Sequence, residues 1–354
     1  MRDCEYVVIG QGLAGTLVCQ ALLDKGKNVI VIDNSHKGSS SKIAAGIVNP
    51  ITGRRFVKSW MIEELMSFAE KRYAEFSQLL DSDKYFSKRE ILRCLFSPSE
   101  ENDWLIRTAQ PGWTEHVLEA EDMDEFQEHI TPGIGQGVLL GAQVDLGRLI
   151  QEYKTYLLNK NLLVTSDLDY DDVDIREGSI ASLGIRFENI IWCEGAKGRF
   201  NPFWDNVEFE PSKGEVFHLE IKGLKTERLL KHKMIMAPLD EEKFWFGANY
   251  EWNSKDDKPS ATGAQFLQKR LDKMIPKYTK VDHLAAIRPT IKDRRPVIGR
   301  HETMKNCYIF NGLGTKGASI GPFFADHFVN YLLQGTPLLN EVNVQRYYNQ
   351  KEIV

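Results

Sequence analysis

Three glycines, at 10, 12 and 15 in the stretch GQGLAG, constrain this chain more than any other feature. The apolar run EYVVIG precedes them, and the helically spaced run LAGTLVCQALLDKG follows. A second apolar run, KNVIVID, closes on Asp33. Short apolar runs that stop on glycine predict strands buried on both faces. Strand, helix, strand within about 30 residues is a βαβ unit with a parallel sheet. The glycines permit a tight turn, close approach of the backbone to a pyrophosphate, and tight packing of helix on strand. The helix start then offers free N–H groups to phosphates. Asp33 stands where a carboxylate accepts hydrogen bonds from a ribose diol. The glycines alone prove little; strand, helix and acid together predict a dinucleotide site. The alternative is an ordinary glycine turn with Asp33 capping a loop. An acidic strand end disfavours a 2′-phosphate, hence NADP. A fingerprint this close to the N-terminus is usual where the cofactor is FAD.

Composition bounds the class. At 354 residues the chain is long enough for two domains or one large one. With 42% hydrophobic and 27% charged residues, and no long block of one sign, it reads as globular. A net charge of −5 gives no general attraction to nucleic acid or anionic membrane. The cysteines, Cys4, Cys19, Cys94, Cys193 and Cys307, are odd in number, scattered and without a CxxC pair. That predicts free thiols in a reducing compartment rather than a disulfide framework or a zinc site. The eight histidines show no HxxH-type spacing, so no metal is expected. The opening MRDCEYVVIGQG lacks a basic n-region, and no run of about 20 apolar residues follows. We expect neither a signal peptide nor a membrane span, and a cytoplasmic location.

Along the chain, a Ser/Gly/Lys loop is expected over His36 to Lys42, and a helix over MIEELMSFAEKRYAEFSQLL. FSKREILRCLFS reads as strand, SEENDWLIRTA as a capped helix, and GVLLGAQVDLGRLIQEYKTYLLNKN as strand, turn and helix. IIWCEGAKG is a buried strand ending on glycine. GEVFHLEI, KMIMAPL and KFWFGANY are strands, while ATGAQFLQKRLDKMI and ADHFVNYLLQG are helices. The alternation predicts an α/β nucleotide domain with a more β-rich domain inserted into it.

Four further stretches fall into one pattern: SSSKIAAGIVNP, GAQVDLGRLI, IIWCEGAKG, and IRPTIKDRRPVIGR with YIFNGLGTKGASIGPFFADHF after it. With the N-terminal fingerprint, and in order over nearly the whole chain, they resemble the D-amino-acid oxidase family of FAD-dependent oxidoreductases. The likeness is strongest to its glycine oxidase and sarcosine oxidase branch. Its most specific part is R-P-x-x-x-D-x-x-P-x-I-G followed by a glycine-rich segment, which in that family lies under the flavin ring. The resemblance implies an α/β fold: a Rossmann-like FAD-binding domain split over 1–80, 141–205 and 285–354. An α+β substrate domain on a mixed sheet would be inserted at 81–140 and 206–284. It also implies a small amine or amino acid as substrate. The C–N bond would be oxidised by hydride transfer to flavin N5, and the imine hydrolysed by water.

Residue by residue, the resemblance implies that Gly10, Gly12 and Gly15 hold the pyrophosphate and Asp33 the adenosine ribose, with Leu13, Ala14 and Asn34 among the contacts. Ser41, Ala45, Gly46 and Ile47 would pass the pyrophosphate and the ring. Leu168 would bond adenine through its backbone, and Gly195 would sit near the pyrophosphate. Gly314, Thr315, Lys316 and Gly317 would face the pyrimidine end, where N–H groups and a cation stabilise negative charge on reduced flavin. A solvent-facing Lys316 is the alternative. Cys307, on an expected strand, is not placed for covalent flavin attachment.

The arginine of the R-P pair is Arg288. In the family it can pair with the substrate carboxylate, in the bidentate geometry that guanidinium favours. The alternative is a buried ion pair with Asp293. Arg294, Arg295 and Arg300 are expected to be solvated or structural. Tyr250, at the end of FWFGANY, is expected either to donate a hydrogen bond to the substrate or to pack in the core. The sequence departs from the family at Leu313, where many relatives carry histidine, and at Thr315, where glycine oxidases carry a second arginine. No second carboxylate clamp is evident. Arg54, Arg55, Lys58 and Trp60 read either as a solvated helix start or as a cationic rim for a larger anionic substrate. On that rim rests an alternative function, oxidative trimming of a carboxymethylaminomethyl-type modified tRNA base, against which the acidic net charge weighs. A flavin-binding protein without turnover is the other alternative. Nothing in the sequence speaks to oligomeric state.

Overall fold

Strands that are apolar on both faces need cover on both, and this chain supplies it. The computed structural model describes residues 2–53, 55–113, 115–119, 126, 128–252, 254 and 256–348. Among them, strands Leu163–Thr165, Val29–Asp33, Arg2–Ile9, Ile185–Trp192 and Cys307–Asn311 lie side by side and parallel. Val297–Arg300 runs antiparallel beyond Cys307–Asn311. Successive side chains point to opposite faces. Val8, Val31, Ile191 and Phe310 pack against helices Leu13–Leu23, Ile62–Leu79, Leu146–Asn159 and Gly317–Gln334 on one side. Val7, Ile9, Ile30, Ile190, Trp192 and Ile309 pack with Trp204 and Tyr347 on the other.

The second sheet is mixed. Its order is Glu251–Trp252, Ser212–Glu220, Lys243–Gly247, Ile235–Asp240, Leu229–Lys231, Phe86–Leu95, Gly135–Val144 and Ile47–Val48. Thr279–Arg288 also pairs with Ser212–Glu220. Leu229–Lys231 and Phe86–Leu95 are parallel, whereas the other named pairings of this sheet are antiparallel. One face, with Phe217, Phe244 and Phe246, packs on helix Ala261–Leu271. The other, with Ile91, Leu139, Val216 and Trp245, packs on Ala45, Ile51 and Phe56.

Three expectations need correction. The segment over His36 to Lys42 is not all loop, because Ser40–Ile43 forms one helical turn. The last helix begins at Gly317, eight residues before the Ala325 at which ADHFVNYLLQG starts. The strand in KFWFGANY stops at Gly247, because the Asn249 side chain then takes over: its Oδ1 accepts the Glu215 N–H at 2.6 Å, where a ladder carbonyl would otherwise serve. No helix among the described residues is long and apolar enough to cross a membrane.

His232 gives the fold an acid-sensitive point. It is 7% exposed, its ring edge meets Phe96, and its Nε2–H donates to the Thr131 carbonyl at 3.2 Å. Burial, joined by the charges of Lys233 and Lys231, pushes the imidazole down to about 4. The unfolded chain titrates near the ordinary value of 6.5, so between these values the unfolded state holds more protons and stability falls as pH drops. Over the whole window the loss is about 3 kcal/mol. His232→Phe is expected to shrink the difference between denaturation midpoints at neutral pH and in mild acid. An unchanged difference would exonerate this side chain.

Candidate active site

Two cavities at the carboxyl ends of the parallel strands meet at Gly12, Ser40 and Cys193. That end of an open α/β sheet is where its ligands bind. The first cavity, about 440 Å³, is lined by Gly10, Gly12, Asp33, Asn34, Leu168 and Gly195 among others. Gly10 has φ +101°, and a Cβ there would stand 2.6 Å from the Cys193 carbonyl oxygen. Gly15 lines neither cavity. A Cβ on it would stand 1.8 Å from the Gly10 carbonyl oxygen, so its bareness is what seats the helix on the turn. Helix Leu13–Leu23 starts at Gly12 with no side-chain cap, and the Leu13 N–H donates to the Ser41 hydroxyl at 3.0 Å. The Asp33 carboxylate accepts the N–H of Gln11 at 2.8 Å and of Ser35 at 2.6 Å. These two bonds fix it at the cavity wall with lone pairs left for a diol. A bare glycine turn, an uncapped helix start and an anchored carboxylate fit the adenosine diphosphate half of FAD.

Glu194 also lines this cavity, and sequence reasoning passed over it. Its carboxylate accepts from the Tyr170 hydroxyl at 2.8 Å and from Asn201 Nδ2 at 2.7 Å. Burial raises its carboxyl above the usual range despite those bonds. The signal was present: an acid directly after the apolar IIWC.

The second cavity, about 320 Å³, brings together Leu13, Ala14, Ser41, Ala45, Gly46, Ile47, Gly314, Thr315, Lys316 and Gly317 with Tyr250 and Arg288. Gly46 has φ +65° and lies so close to Val144 that a Cβ would stand 1.8 Å from its carbonyl oxygen. Lys316 is half-buried rather than solvent-facing, and its Nζ donates to the Ser59 hydroxyl at 3.2 Å. Burial and the Arg295 charge lower its amine. Arg295 stacks on Trp60 at 4.3 Å, while Arg294 and Arg300 are exposed.

Arg288 closes strand Thr279–Arg288. Its Nη2 donates to the Asn249 carbonyl at 3.1 Å, and its guanidinium lies 4.3 Å from the Tyr250 ring centroid. Its Nη1 is buried and has no hydrogen-bond partner. The ion pair with Asp293 is not formed, because Asp293 pairs with Arg346 at 2.8 Å. Among the described residues Arg288 meets no carboxylate, and burial lowers its pKa. Tyr250 is not a core residue: it is 59% exposed and stacks on Arg288 and Trp252.

Behind Arg288 sits a buried polar chain. Asn249 is tied to Glu215, whose fully buried carboxylate accepts the Ser260 N–H at 2.9 Å and hydroxyl at 2.7 Å. Lys213 lies 3.4 Å from Glu215 and His283 2.7 Å. Burial alone would raise the Glu215 carboxyl, but the Ser260 bonds and Lys213 overcome it and hold it below the usual range. Gly214 completes the seat, since a Cβ on it would stand 2.1 Å from Arg288 Nη2. That atom ends a flexible side chain, so Gly214→Ala is expected to displace the guanidinium and leave the fold intact. We expect KM to rise about tenfold with stability lowered by no more than about 1 kcal/mol. Steady-state kinetics beside a denaturation curve check both, and an unchanged KM would remove Arg288 from the binding step. Gly214 and Trp245, which lines the same cavity, gave no sequence signal beyond their strands.

Comparison with known proteins agrees with this geometry. The family model described as FAD dependent oxidoreductase matches residues 5–331. The glycine oxidase of Bacillus licheniformis is 23% identical over 361 residues, covering 95% of each chain. The crystal structure of glycine oxidase from Bacillus cereus superposes with a TM-score of 0.79 at 17% identity, over 95% of this chain and 96% of that one. Iminodiacetate oxidase from Chelativorans sp. gives 0.75 at 21% identity, over 97% and 98%. The two structures share the fold: a Rossmann-like FAD-binding domain with a substrate domain on a mixed sheet. With a family model matching most of its length, the chain belongs to the DAO family of FAD-dependent oxidoreductases.

Proposed function

We propose that this oxidoreductase oxidises the C–N bond of an amine or amino acid that carries a carboxylate, with Arg288 as the carboxylate anchor. One observation carries the reading: a half-buried guanidinium at the cavity has a buried, unbonded Nη1 and no carboxylate among the described residues. A buried cation without an anion is unfavourable, and a ligand carboxylate would relieve it. Bound FAD supplies the electron acceptor for the C–N bond, and the imine product hydrolyses in water. Arg288 offers its fork to the carboxylate, which fixes the neighbouring carbon in one orientation. The Tyr250 ring and the Asn249 carbonyl hold that fork in place. The Lys316 side chain and the N–H groups of Thr315 and Gly317 place positive potential at the start of helix Gly317–Gln334, where they would stabilise negative charge on the reduced cofactor; the Gly314 and Lys316 N–H groups are already bonded to the Pro289 and Leu313 carbonyls. The names of the relatives, glycine oxidase and iminodiacetate oxidase, support a small carboxylated amine. The division into 1–80, 141–205 and 285–354 against 81–140 and 206–284 is part of the same proposal.

The cationic rim finds less support. Arg54 lies outside the described residues, Arg55 is exposed, Lys58 pairs with Glu63 and donates to the Gly112 carbonyl, and Trp60 stacks on Phe324. No observation there favours RNA. The test is anaerobic mixing of the purified holoenzyme with glycine, sarcosine, iminodiacetate, proline and D-amino acids, each beside its decarboxylated counterpart. Flavin bleaching by a carboxylated amine, with its counterpart at least about 100-fold slower, is the expected result. Equal rates for the two would reject the anchor.

A further inference from the structure

Five residues form a row across the mixed sheet in direct register: Val216, Gly247, Ile235, Lys231 and Arg93. The first three line the cavity that holds Arg288. The row then runs on to two cations. Strands are about 4.8 Å apart, so Lys231 stands one strand and Arg93 two strands beyond the lining residue Ile235. Both point to the cavity side of the sheet. Their neighbours on alternate positions, Leu229 and Ile91, belong to the core that contains Val216 and Trp245, whereas Leu230 and Leu92 belong to the opposite one.

Arg93 is held in place. Its Nη2 donates to the Gly53 carbonyl at 3.1 Å, and its guanidinium lies 4.3 Å from the Phe56 ring centroid. Gly53 directly follows Thr52, which lines the cavity. Both cations are half-buried, and among the described residues neither forms an ion pair. Glu100, the acid that acts on Arg93, engages its carboxylate with the Phe96 N–H. Other cations on or beside these strands are paired: Lys88 with Glu70, Arg89 with Glu227, and Arg228, just before Leu229, with Glu90. Burial and the Arg93 charge push the Lys231 amine down to about 8.

We propose that Arg93 and Lys231 form a second anion site, which takes the distal carboxylate or phosphate of a substrate whose first carboxylate is held by Arg288. The substrate class is an amino acid or secondary amine with two anionic groups on an extended chain. The sheet sets the span. Four strand spacings, about 19 Å, separate Thr279–Arg288 from Leu229–Lys231, and Arg288 lies opposite Ser212, four residues or about 13 Å along the strand from the row at Val216; the two backbones stand about 23 Å apart, which two long side chains reduce to roughly 12 Å between anions. The inference rests on the reading of Arg288 as a carboxylate anchor.

The test uses holoenzyme and probes that cannot be oxidised. Monocarboxylates from butyrate to decanoate and dicarboxylates from succinate to sebacate are titrated against the flavin's visible spectrum. At one chain length the dicarboxylate is expected to bind about tenfold more tightly than the matched monocarboxylate. Lys231→Met and Arg93→Met keep the aliphatic stems and are expected to abolish most of that gain while monocarboxylate affinity stays constant. ω-Phosphonocarboxylates then separate phosphate from carboxylate as the distal group. No gain at any length, or a gain that survives in both variants, overturns the second site. Should Arg93→Met lose the fold through its brace on Gly53, Lys231→Met decides alone. Arg288→Ala separates the two readings. If it leaves monocarboxylate binding intact, the anchor fails, while a dicarboxylate gain lost in Lys231→Met still establishes the distal site. If no carboxylate perturbs the wild-type flavin, both fall.

Discussion

Arg288→Ala is expected to lower kcat/KM for a carboxylated amine by about 10²- to 10³-fold while the protein still binds FAD. The magnitude follows from the environment. Truncating one partner of a desolvated, hydrogen-bonded charge pair typically removes several kcal/mol, and with Arg288 as the proposed anchor the pair would form only when substrate enters. In its absence the guanidinium has one neutral acceptor, the Asn249 carbonyl, and one aromatic face, Tyr250. Removing an uncompensated buried cation does not destabilise a fold in the way that breaking an ion pair does. The thermal midpoint of Arg288→Ala is therefore expected to hold or rise, so lost activity cannot be blamed on unfolding. Arg288→Lys keeps the charge but not the fork, and is expected to recover only part of the loss. Amines without a carboxylate should react equally with all three proteins. A loss of similar size on those amines would show that Arg288 acts on something other than a carboxylate.

How this site follows from the sequence differs from residue to residue. The nucleotide half was legible because each of its demands is local. Gly10, Gly12 and Gly15 answer to backbone conformation and close approach within one turn, and Asp33 ends the strand next to it. Arg288 was legible as a candidate, but its freedom was not: whether Asp293 would pair with it depended on where Arg346 arrives from the far end of the chain. Gly214 was illegible for a related reason. It reads as an ordinary strand glycine, and only the register of Ser212–Glu220 on Thr279–Arg288 puts it beneath the guanidinium. The cations after residue 53 gain their partners from further along the chain. Sequence adjacency to the flavin loop suggested a rim, yet Lys58 is tied to Glu63. Arg93 and Lys231, which form no ion pair among the described residues, come from Phe86–Leu95 and Leu229–Lys231 and are brought together by a parallel pairing that no local pattern encodes.

Gly15→Ala is expected to yield a protein that no longer retains FAD. The added methyl would have to stand 1.8 Å from the Gly10 carbonyl oxygen, and that atom belongs to backbone, which cannot swing aside as a side-chain end would. Either helix Leu13–Leu23 lifts from the turn or the turn itself opens. Both movements spoil the aim of the helix-start N–H groups, on which phosphate binding depends. Overpacking of this kind lowers stability by about 1–3 kcal/mol, which a domain of this size survives. The effect on the cofactor is larger because several charge-assisted bonds are misaligned at once; roughly a 100-fold weakening is expected. Gly26→Ala is the control. That glycine, unlike Gly15, has a positive φ, +71°, but a Cβ there meets nothing within 4 Å, and it lies three residues past the far end of the same helix. It should lose about 1 kcal/mol of stability and keep its flavin. Titration of the two apoproteins with FAD, followed by fluorescence quenching, compares them directly. Equal affinities would mean that the close helix–turn contact at Gly15 is not what shapes the phosphate site.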